Sequence, residues 1–304
     1  MLDLKNKSIQ ANILLFATAV IWGGGFVAQR LGIQQLGPFL FNGFRFLIGA
    51  LTLVPIMALR SRPQKTSEIS WGKTILIGLA AGLFLFFGAT FQQLGLIYTT
   101  AGKAGFITGL YVILVPLMGM LWGDKTSLNT WLGAILAVGG LYFLSVTSGM
   151  QFAPGDGYVL LGAVFWAGHV QFIAKFSPSV DAIRLSFVQA LFTSLVSFGV
   201  GFAKETLDAG SLMAAFWPII YGGVISIGIA YTMQVIAQRS AKPTPAAIIL
   251  SLESVFAAFW GWLILREVLS TRAMMGSGLM LAGMMLSQIQ FGPKIRTHPE
   301  TRPD

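Results

Sequence analysis

Apolar residues along this chain fall into long runs, and the polar residues collect in the short connections between them. A run of about 20 apolar residues is the length that an α-helix needs to cross the hydrocarbon core of a bilayer. The runs are continuous and do not alternate as the strands of a membrane barrel would. The pattern predicts an all-α integral membrane fold with ten transmembrane helices, at residues 11–30, 38–59, 71–93, 102–122, 129–147, 155–176, 183–203, 214–237, 245–265 and 271–291.

The composition supports a membrane protein and narrows its chemistry. Of the 304 residues, 55% are hydrophobic and 10% are charged, whereas soluble domains carry about 25% charged residues. The lack of cysteine excludes thiol catalysis, disulfides and cysteine-bound metals. We therefore expect membrane lipid around the chain, and no cofactor or metal.

The basic residues are distributed unevenly between the two sides of the predicted membrane. With both termini in the cytoplasm, fourteen of the 20 Lys and Arg residues fall inside, five fall outside, and Arg45 lies within a helix. Because Lys and Arg are enriched in cytoplasmic connections, we predict a multi-pass protein of the cell (inner) membrane with both termini cytoplasmic. This topology and contact with anionic lipid account for the net charge of +9, so nucleic acid is not an expected partner.

The second half of the chain repeats the first at an offset of 142 to 144 residues. Equivalent residues are Trp22 and Trp166, Gln92 and Gln234, Tyr111 and Glu253, Asp124 and Glu267, Gly133 and Gly276, and Gly140 and Gly283. We predict two five-helix units, residues 1–150 and 151–304. Because five is odd, the second unit enters the membrane inverted, which is an architecture of alternating-access transporters.

Two stretches resemble the EamA-type members of the drug/metabolite transporter superfamily. LESVFAAFWGWLILREVLS (252–270) is similar to the signature near the end of each EamA repeat, and YTTAGKAGFITGLYVILVPL (98–117) is similar to the matching segment of the first repeat. The resemblance implies transport of small metabolites through a cavity lined mainly by helices 3, 4, 8 and 9, with parts of helices 1 and 6. Two positions depart from the family's pattern. Ser254 replaces a proline that would kink the helix, and Arg266 replaces a glycine before Glu267.

Glu253 is the first candidate for a functional residue. An acid inside a membrane helix costs about 2.5–3.5 kcal/mol on insertion scales, so it usually has a partner or a role. It could accept a proton or pair with a cationic group of a substrate. It could instead be structural, bonded to Ser251, to Ser254 or to a neighbouring helix. Its equivalent in the first repeat is Tyr111, so the symmetry of the repeats breaks at this point.

Arg45 is the second charged candidate. Asn42, Arg45 and Gly49 share one helical face, and the equivalent of Arg45 in the second repeat is Gln189. An intramembrane arginine faces the bundle interior or extends to the interface. Arg45 could form a structural ion pair, with Glu253 as a candidate partner, or extend to the nearby interface, or it could recognise an anion or carboxylate.

The remaining candidates are two pairs of equivalent residues and one histidine. Gln92 and Gln234 could line the cavity or bond between helices. Trp22 and Trp166 could form walls for an amphipathic substrate or simply pack. His169 follows Trp166 by three residues on the same helical face, and a proton-linked role suits it. No second histidine lies in the membrane, so a metal site is not expected.

Together these features favour a secondary transporter, with export as the expected direction, for a small amino-acid-like or amphipathic solute. A membrane enzyme would need a cluster of His, Asp or Cys near one interface, so no catalytic residue is expected. A membrane channel or an accessory membrane subunit is the alternative, although the recurring polar stripe of a channel is absent. Without an ATP motif the energy must come from a gradient, for which a proton is the natural candidate. The protein is expected to be a monomer or homodimer.

Overall fold

The computed structural model describes residues 2–59, 70–99, 101–145, 153–266, 268 and 270–289. Over these residues the chain is helical and contains no strand. The α-helices are α1 (Leu2–Ile33), α2 (Pro38–Leu59), α3 (Trp71–Tyr98), α4 (Ala101–Gly109), α5 (Tyr111–Leu121), α6 (Leu128–Ser145), α7 (Pro154–Phe176), α8 (Ala182–Lys204), α9 (Ala209–Ala214), α10 (Phe216–Ile220), α11 (Thr232–Gln238), α12 (Pro243–Leu250), α13 (Glu253–Leu265) and α14 (Thr271–Gln288). A 3-10 turn at Ser177–Ser179 follows α7, and a π-helix at Tyr221–Tyr231 joins α10 to α11.

Eight segments of the described chain are long and apolar enough to cross a membrane. They are Lys7–Ile33, Pro38–Leu59, Trp71–Tyr98, Ala104–Leu121, Pro154–Ser179, Ala182–Lys204, Phe216–Gln238 and Pro243–Ile264. Residues Leu128–Leu144 of α6 form a shorter apolar helix. The all-α membrane fold is therefore confirmed. The total of ten crossings stays a prediction, because α6 and α14 are not among the eight.

Two of the predicted spans are broken at equivalent positions. The fourth span divides into α4 and α5 at Leu110, and the ninth divides into α12 and α13 at Ser251–Leu252. At the breaks the Leu110 N–H donates to the Ile107 carbonyl and the Leu252 N–H donates to the Ile249 carbonyl, both at 3.2 Å. These bonds span three residues instead of the four of an α-helix. Such tight turns bend a helix, so each repeat has one bent segment.

The break before Glu253 forms without a proline. Ser254 stands where the family's pattern has proline, and its Oγ donates to the Gly105 carbonyl at 3.1 Å. Ser251 Oγ donates to the Ile248 carbonyl at 2.9 Å. Serine side chains that bond to backbone carbonyls compete with helical hydrogen bonding. The helix therefore bends at the position that the family's pattern suggests, although the residue that would kink it is missing.

Arg266 ends α13 in a left-handed conformation. Its φ is 56° and its ψ is 31°, and its N–H bonds to the Gly261 carbonyl. Gly123, at the equivalent position after α5, has a φ of 84°. Left-handed angles suit glycine at the end of a helix, which explains the glycine in the family's pattern. Arg266 thus terminates the helix as expected, whereas Glu267 lies outside the described residues.

The helix contacts follow the equivalence of the two repeats. Where two helices pack together, the helices equivalent to them also pack together. α1 packs on α12 and α13, and α7 packs in the same way on α4 and α5. α2 packs on the π-helix, and its equivalent α8 packs on α3. The equivalent helices α2 and α8 also pack on each other, as do α6 and α14. This correspondence is expected of two equivalent repeats related by a pseudo-twofold axis.

The contact between α6 and α14 depends on four glycines, two from each repeat. A Cβ added to Gly140 would lie 2.5 Å from the Gly276 carbonyl oxygen, and one added to Gly283 would lie 2.5 Å from the Gly133 carbonyl oxygen. Small residues therefore let the two backbones touch, as in many membrane helix pairs. Gly139 takes no part in this contact, since it lies on another face of α6 from Gly140 and an added Cβ there meets nothing within 4 Å.

Candidate functional site

A cavity lies where the broken helices of the two repeats meet. Its empty space is about 530 Å³, part of which is open to the outside. All eight candidates from the sequence line it: Trp22, Arg45, Gln92, Tyr111, Trp166, His169, Gln234 and Glu253. Seven residues that the sequence did not suggest also line it: Phe26, Gln29, Thr108, Val170, Ser226, Tyr231 and Leu250. The structure therefore brings the candidates together around one space, to which both repeats contribute.

Glu253 and Tyr111 occupy equivalent positions at the two breaks. Each is the first residue of the helix that follows its break, and each faces the cavity. The Glu253 side chain is 6% exposed. The Tyr111 hydroxyl lies beside its carboxyl, without the geometry of a direct hydrogen bond. Ser251 and Ser254, which the sequence suggested as partners, bond to backbone carbonyls instead. The amino end of α13 favours a negative charge at this position.

Arg45 faces the same cavity from α2 and is 5% exposed. Its Nε donates to the Asn42 Oδ1 at 2.9 Å. The guanidinium carbon lies 5.1 Å from the ring centre of Phe46 and 5.7 Å from that of Phe41, distances at which a cation is attracted to a ring. Arg45 and Glu253 do not form an ion pair in the described structure, although both line the cavity. The arginine is held among aromatic residues and does not extend to the interface.

Aromatic rings form one wall of the cavity around Tyr231. The Tyr231 ring centre lies 4.6 Å from that of Trp22, 6.2 Å from that of Trp166 and 6.1 Å from that of His169. Trp22 Nε1 donates to the Ser226 carbonyl of the π-helix at 3.2 Å. The two tryptophans therefore line the cavity and also pack against neighbouring helices.

The equivalent glutamines Gln92 and Gln234 have different partners. Gln92 Oε1 accepts from Trp166 Nε1 at 3.0 Å, and Gln92 Nε2 donates to Gln29 Oε1 at 3.1 Å. Gln234 Nε2 donates to Gln238 Oε1 at 2.8 Å, while Gln234 Oε1 has no partner among the described residues. Gln92 thus links helices of the two repeats, and Gln234 retains an unused acceptor at the cavity.

His169 is held by the residue equivalent to Arg45. Its Nε2 lies 3.1 Å from Gln189 Oε1, at hydrogen-bond distance. The residues that the structure describes include no group of three or more His, Cys, Asp or Glu side chains placed to hold a metal ion. The imidazole is therefore oriented by an amide.

Tyr231 and Gln29 are the most informative residues that the sequence reasoning missed. Gln29 lies seven residues after Trp22 and three after Phe26, so helical spacing could have placed it on the same face. Tyr231 ends the π-helix, whose hydrogen-bond pattern re-aims the side chains of the segment. Single π-turns are frequent at functional sites, but no local sequence signal announces them.

A helical membrane protein with a polar cavity shared by two equivalent repeats has the architecture of a membrane transporter. The EamA-like transporter family matches residues 9–146 and 153–288, so the chain belongs to this family and consists of two of its repeats. The family and the apolar helices together establish a multi-pass membrane transporter.

Several relatives are similar over most of the chain. An uncharacterized transporter of Archaeoglobus fulgidus is 31% identical over 93% of this chain and 87% of its own length. The uncharacterized transporter YoaV of Bacillus subtilis is 22% identical, with 91% and 96% covered. The uncharacterized inner membrane transporter YedA of Escherichia coli is 22% identical, with 90% and 88% covered. A crystal structure with a TM-score of 0.75 is 19% identical, covers 91% of this chain and 96% of its own, and shares the fold.

Proposed function

We propose that the protein is a secondary transporter that moves a small amino-acid-like or amphipathic solute out of the cell by alternating access. One observation carries the proposal: Arg45 and Glu253 line one cavity together with residues of both repeats, and neither forms an ion pair with another described residue. Charged groups at membrane depth mark solute and ion pathways, because they are costly there unless used. The aromatic wall around Tyr231 supplies apolar contact for the body of the same solute.

Alternating access follows from the bent segments of the two repeats. Tyr111 and Glu253 each sit directly after a break, so a change of bend in either segment moves a cavity residue. Rocking of one repeat against the other would then open the cavity to opposite sides of the membrane in turn. The energy comes from an ion or solute gradient, and a proton taken up by Glu253 or His169 is the candidate coupling ion.

The proposal includes the topology and the division of the chain. The protein lies in the cell (inner) membrane with both termini in the cytoplasm. Its two repeats are residues 1–150 and 151–304. The working unit is a monomer or homodimer with lipid around it. Attachment of a cysteine to either terminus of this cysteine-free chain, followed by labelling of intact cells with a membrane-impermeant reagent, tests the orientation. Labelling from outside would contradict it.

Flux measurements in proteoliposomes test the transport function. We expect saturable uptake of some solutes from a panel of labelled amino acids and small amphipathic metabolites, with counterflow when unlabelled solute is inside. Flux that never saturates would indicate the alternative, a channel. The complete lack of flux would favour an accessory subunit, and conversion of a solute into a product would indicate an enzyme.

A further inference from the structure

We infer that Arg45 binds the carboxylate of a singly charged anionic solute in the cavity. The inference rests on the proposed function in one respect: it takes the bound solute to be the solute that is transported. It is carried by a buried cation that faces the cavity without a counter-ion. The Arg45 side chain is 5% exposed, and Nε is its one guanidinium nitrogen with a hydrogen-bond partner among the described residues.

Among the residues that the structure describes, no acidic side chain pairs with this arginine. Two acidic side chains are buried in the described part of the chain, Glu253 and Asp156. Asp156 is held at the start of α7, where its carboxylate accepts from Thr99 Oγ1 at 2.8 Å and from the Ala153 N–H at 2.7 Å. Glu253 lines the cavity without forming an ion pair with Arg45. A buried charge is costly unless paired, so a ligand is the remaining source of the anion.

The arginine is also oriented before any ligand arrives. Asn42 Oδ1 holds Nε, and the rings of Phe41 and Phe46 lie against the guanidinium group. The stem runs past the π-helix, where a Cβ added to Gly222 would lie 3.4 Å from Arg45 Cδ. With Nε occupied, the two Nη groups remain for a ligand. A guanidinium presents such donors in a planar fork that matches a carboxylate, and prior orientation reduces the entropy lost on binding.

The charges of the cavity indicate one negative group on the ligand and an apolar body. Among the described residues of the cavity lining, Arg45 is the one Lys or Arg side chain, and Glu253 lies in the same lining. A dianionic phosphate would meet one cation and an opposing acid, whereas a monocarboxylate, with or without an amino group, is balanced by Arg45. The rings of Trp22, Trp166 and Tyr231 suit an apolar or aromatic body.

Paired ligands test the inference directly. The purified full chain is titrated with 3-phenylpropanoate and its primary amide, and with L-phenylalanine and L-phenylalaninamide, while melting temperature and tryptophan fluorescence are recorded. Trp22 and Trp166 report from the cavity itself. We expect a carboxylate to bind at least about tenfold more tightly than its amide, as the loss of a charge-assisted bidentate contact implies.

Variants at Arg45 and Asn42 separate recognition from folding. Arg45→Gln, which copies the equivalent residue of the second repeat, should abolish carboxylate binding, and Arg45→Lys should weaken it by about tenfold. Asn42→Asp keeps the size of its side chain, adds an internal anion beside the guanidinium and should also weaken binding. Arg239→Gln, at an exposed site outside the cavity lining, removes the same charge and should change nothing.

Three results would overturn the inference: equal binding of carboxylates and amides, undiminished binding by a folded Arg45→Gln protein, or no binding of either carboxylate. These results are distinct from failure of transport. Saturable flux that does not depend on Arg45 would leave the proposed function in place and remove the inference. Carboxylate binding that depends on Arg45, without any flux, would support the inference and contradict the proposed transport function.

Discussion

The two repeats have the same backbone bend but place different chemistry on it. In each repeat the bend is made by a hydrogen bond that spans three residues, at positions 142 residues apart. The residue directly after the bend is Tyr111 in the first repeat and Glu253 in the second. The bend therefore belongs to the shared architecture, whereas the ionisable group belongs to one repeat alone. A site with one acid can distinguish the two ends of a solute, which a symmetric site could not do.

The first turns of α2 and α8 show the same contrast away from the cavity. Asp181 directly precedes α8, and its Oδ1 accepts from the N–H groups of Ile183 at 3.1 Å and Arg184 at 2.9 Å. The equivalent residue before α2 is Gly37, which has no side chain to offer. A carboxylate is favourable at both helix starts, because the first turn leaves its N–H groups unpaired.

Glu205 supplies the missing carboxylate to α2 from the other repeat. It follows α8, and its Oε1 and Oε2 accept from the N–H groups of Phe39 at 3.0 Å and Leu40 at 2.8 Å. A side chain at position 37 would collide with this carboxylate. The second repeat thus caps its own helix, while the first depends on a residue 165 positions away. If the repeats move relative to each other, the cap that Asp181 provides within the second repeat can persist, whereas the contact of Glu205 with α2 would break.

The largest expected effect concerns the acid at the bend. Glu253→Gln keeps the size of the side chain and removes its charge, so we expect concentrative flux in proteoliposomes to fall to the level of empty vesicles. Tyr111→Phe removes only a hydroxyl from the equivalent position and should lower flux by about tenfold or less. Initial rates at several pH values, together with melting temperatures, provide the measurement. Full activity of Glu253→Gln at every pH would remove the acid from the mechanism.

The next largest effect concerns the contact between the last helices of the repeats. Gly140→Leu forces a side chain into the backbone of α14 and should cost about 3 kcal/mol or more of unfolding free energy. Gly139→Leu is the matched control, since nothing lies within 4 Å of its added Cβ, and it should be neutral or stabilising by up to about 1 kcal/mol. Unfolding in detergent measures both. Similar losses in the two variants would contradict the glycine contact.

A smaller effect is expected from the two helix caps. Asp181→Ala should cost about 1 kcal/mol of unfolding free energy, the usual value of an N-cap. Glu205→Ala should cost about 1–3 kcal/mol, because two backbone donors lose an ionised acceptor. Adding Gly37→Asp to Glu205→Ala copies the arrangement of the second repeat and should recover about 1 kcal/mol. If Glu205→Ala costs no stability, Glu205 does not act as the cap of α2.

The smallest effect concerns the left-handed ends of the two bent segments. Arg266→Gly makes the second repeat like the first and should raise the unfolding free energy by about 0.5–1 kcal/mol, because glycine adopts this conformation without strain. Gly123→Ala makes the opposite change and should lower it by about 1–2 kcal/mol. Opposite shifts of the denaturation midpoint are the expected result. A loss of stability in Arg266→Gly would show that the arginine side chain contributes more than its backbone costs.

The membrane class, the family, the repeat and the candidate side chains could all be predicted from the amino-acid sequence. Hydropathy over about 20 residues depends on local composition, and a repeat is visible wherever equivalent residues survive. Glu253 and Arg45 could be singled out because charge is rare and costly at membrane depth, which needs no knowledge of neighbours. The family resemblance named the helices that line the cavity, and all eight candidates line it. Their roles as binding residues stay a prediction.

Features that depend on partners distant in sequence could not be predicted and are visible only in the folded chain. The bends at Leu110 and Ser251, and the π-helix before Tyr231, exchange one backbone hydrogen-bond pattern for another of similar energy, so packing selects between them. The partner of Gln92 is Trp166 and the partner of Glu205 is the start of α2, neither of which lies nearby in the chain. Whether Arg45 and Glu253 form an ion pair depends on the distance between their side chains, which is set by how α2 and α13 pack in the folded protein.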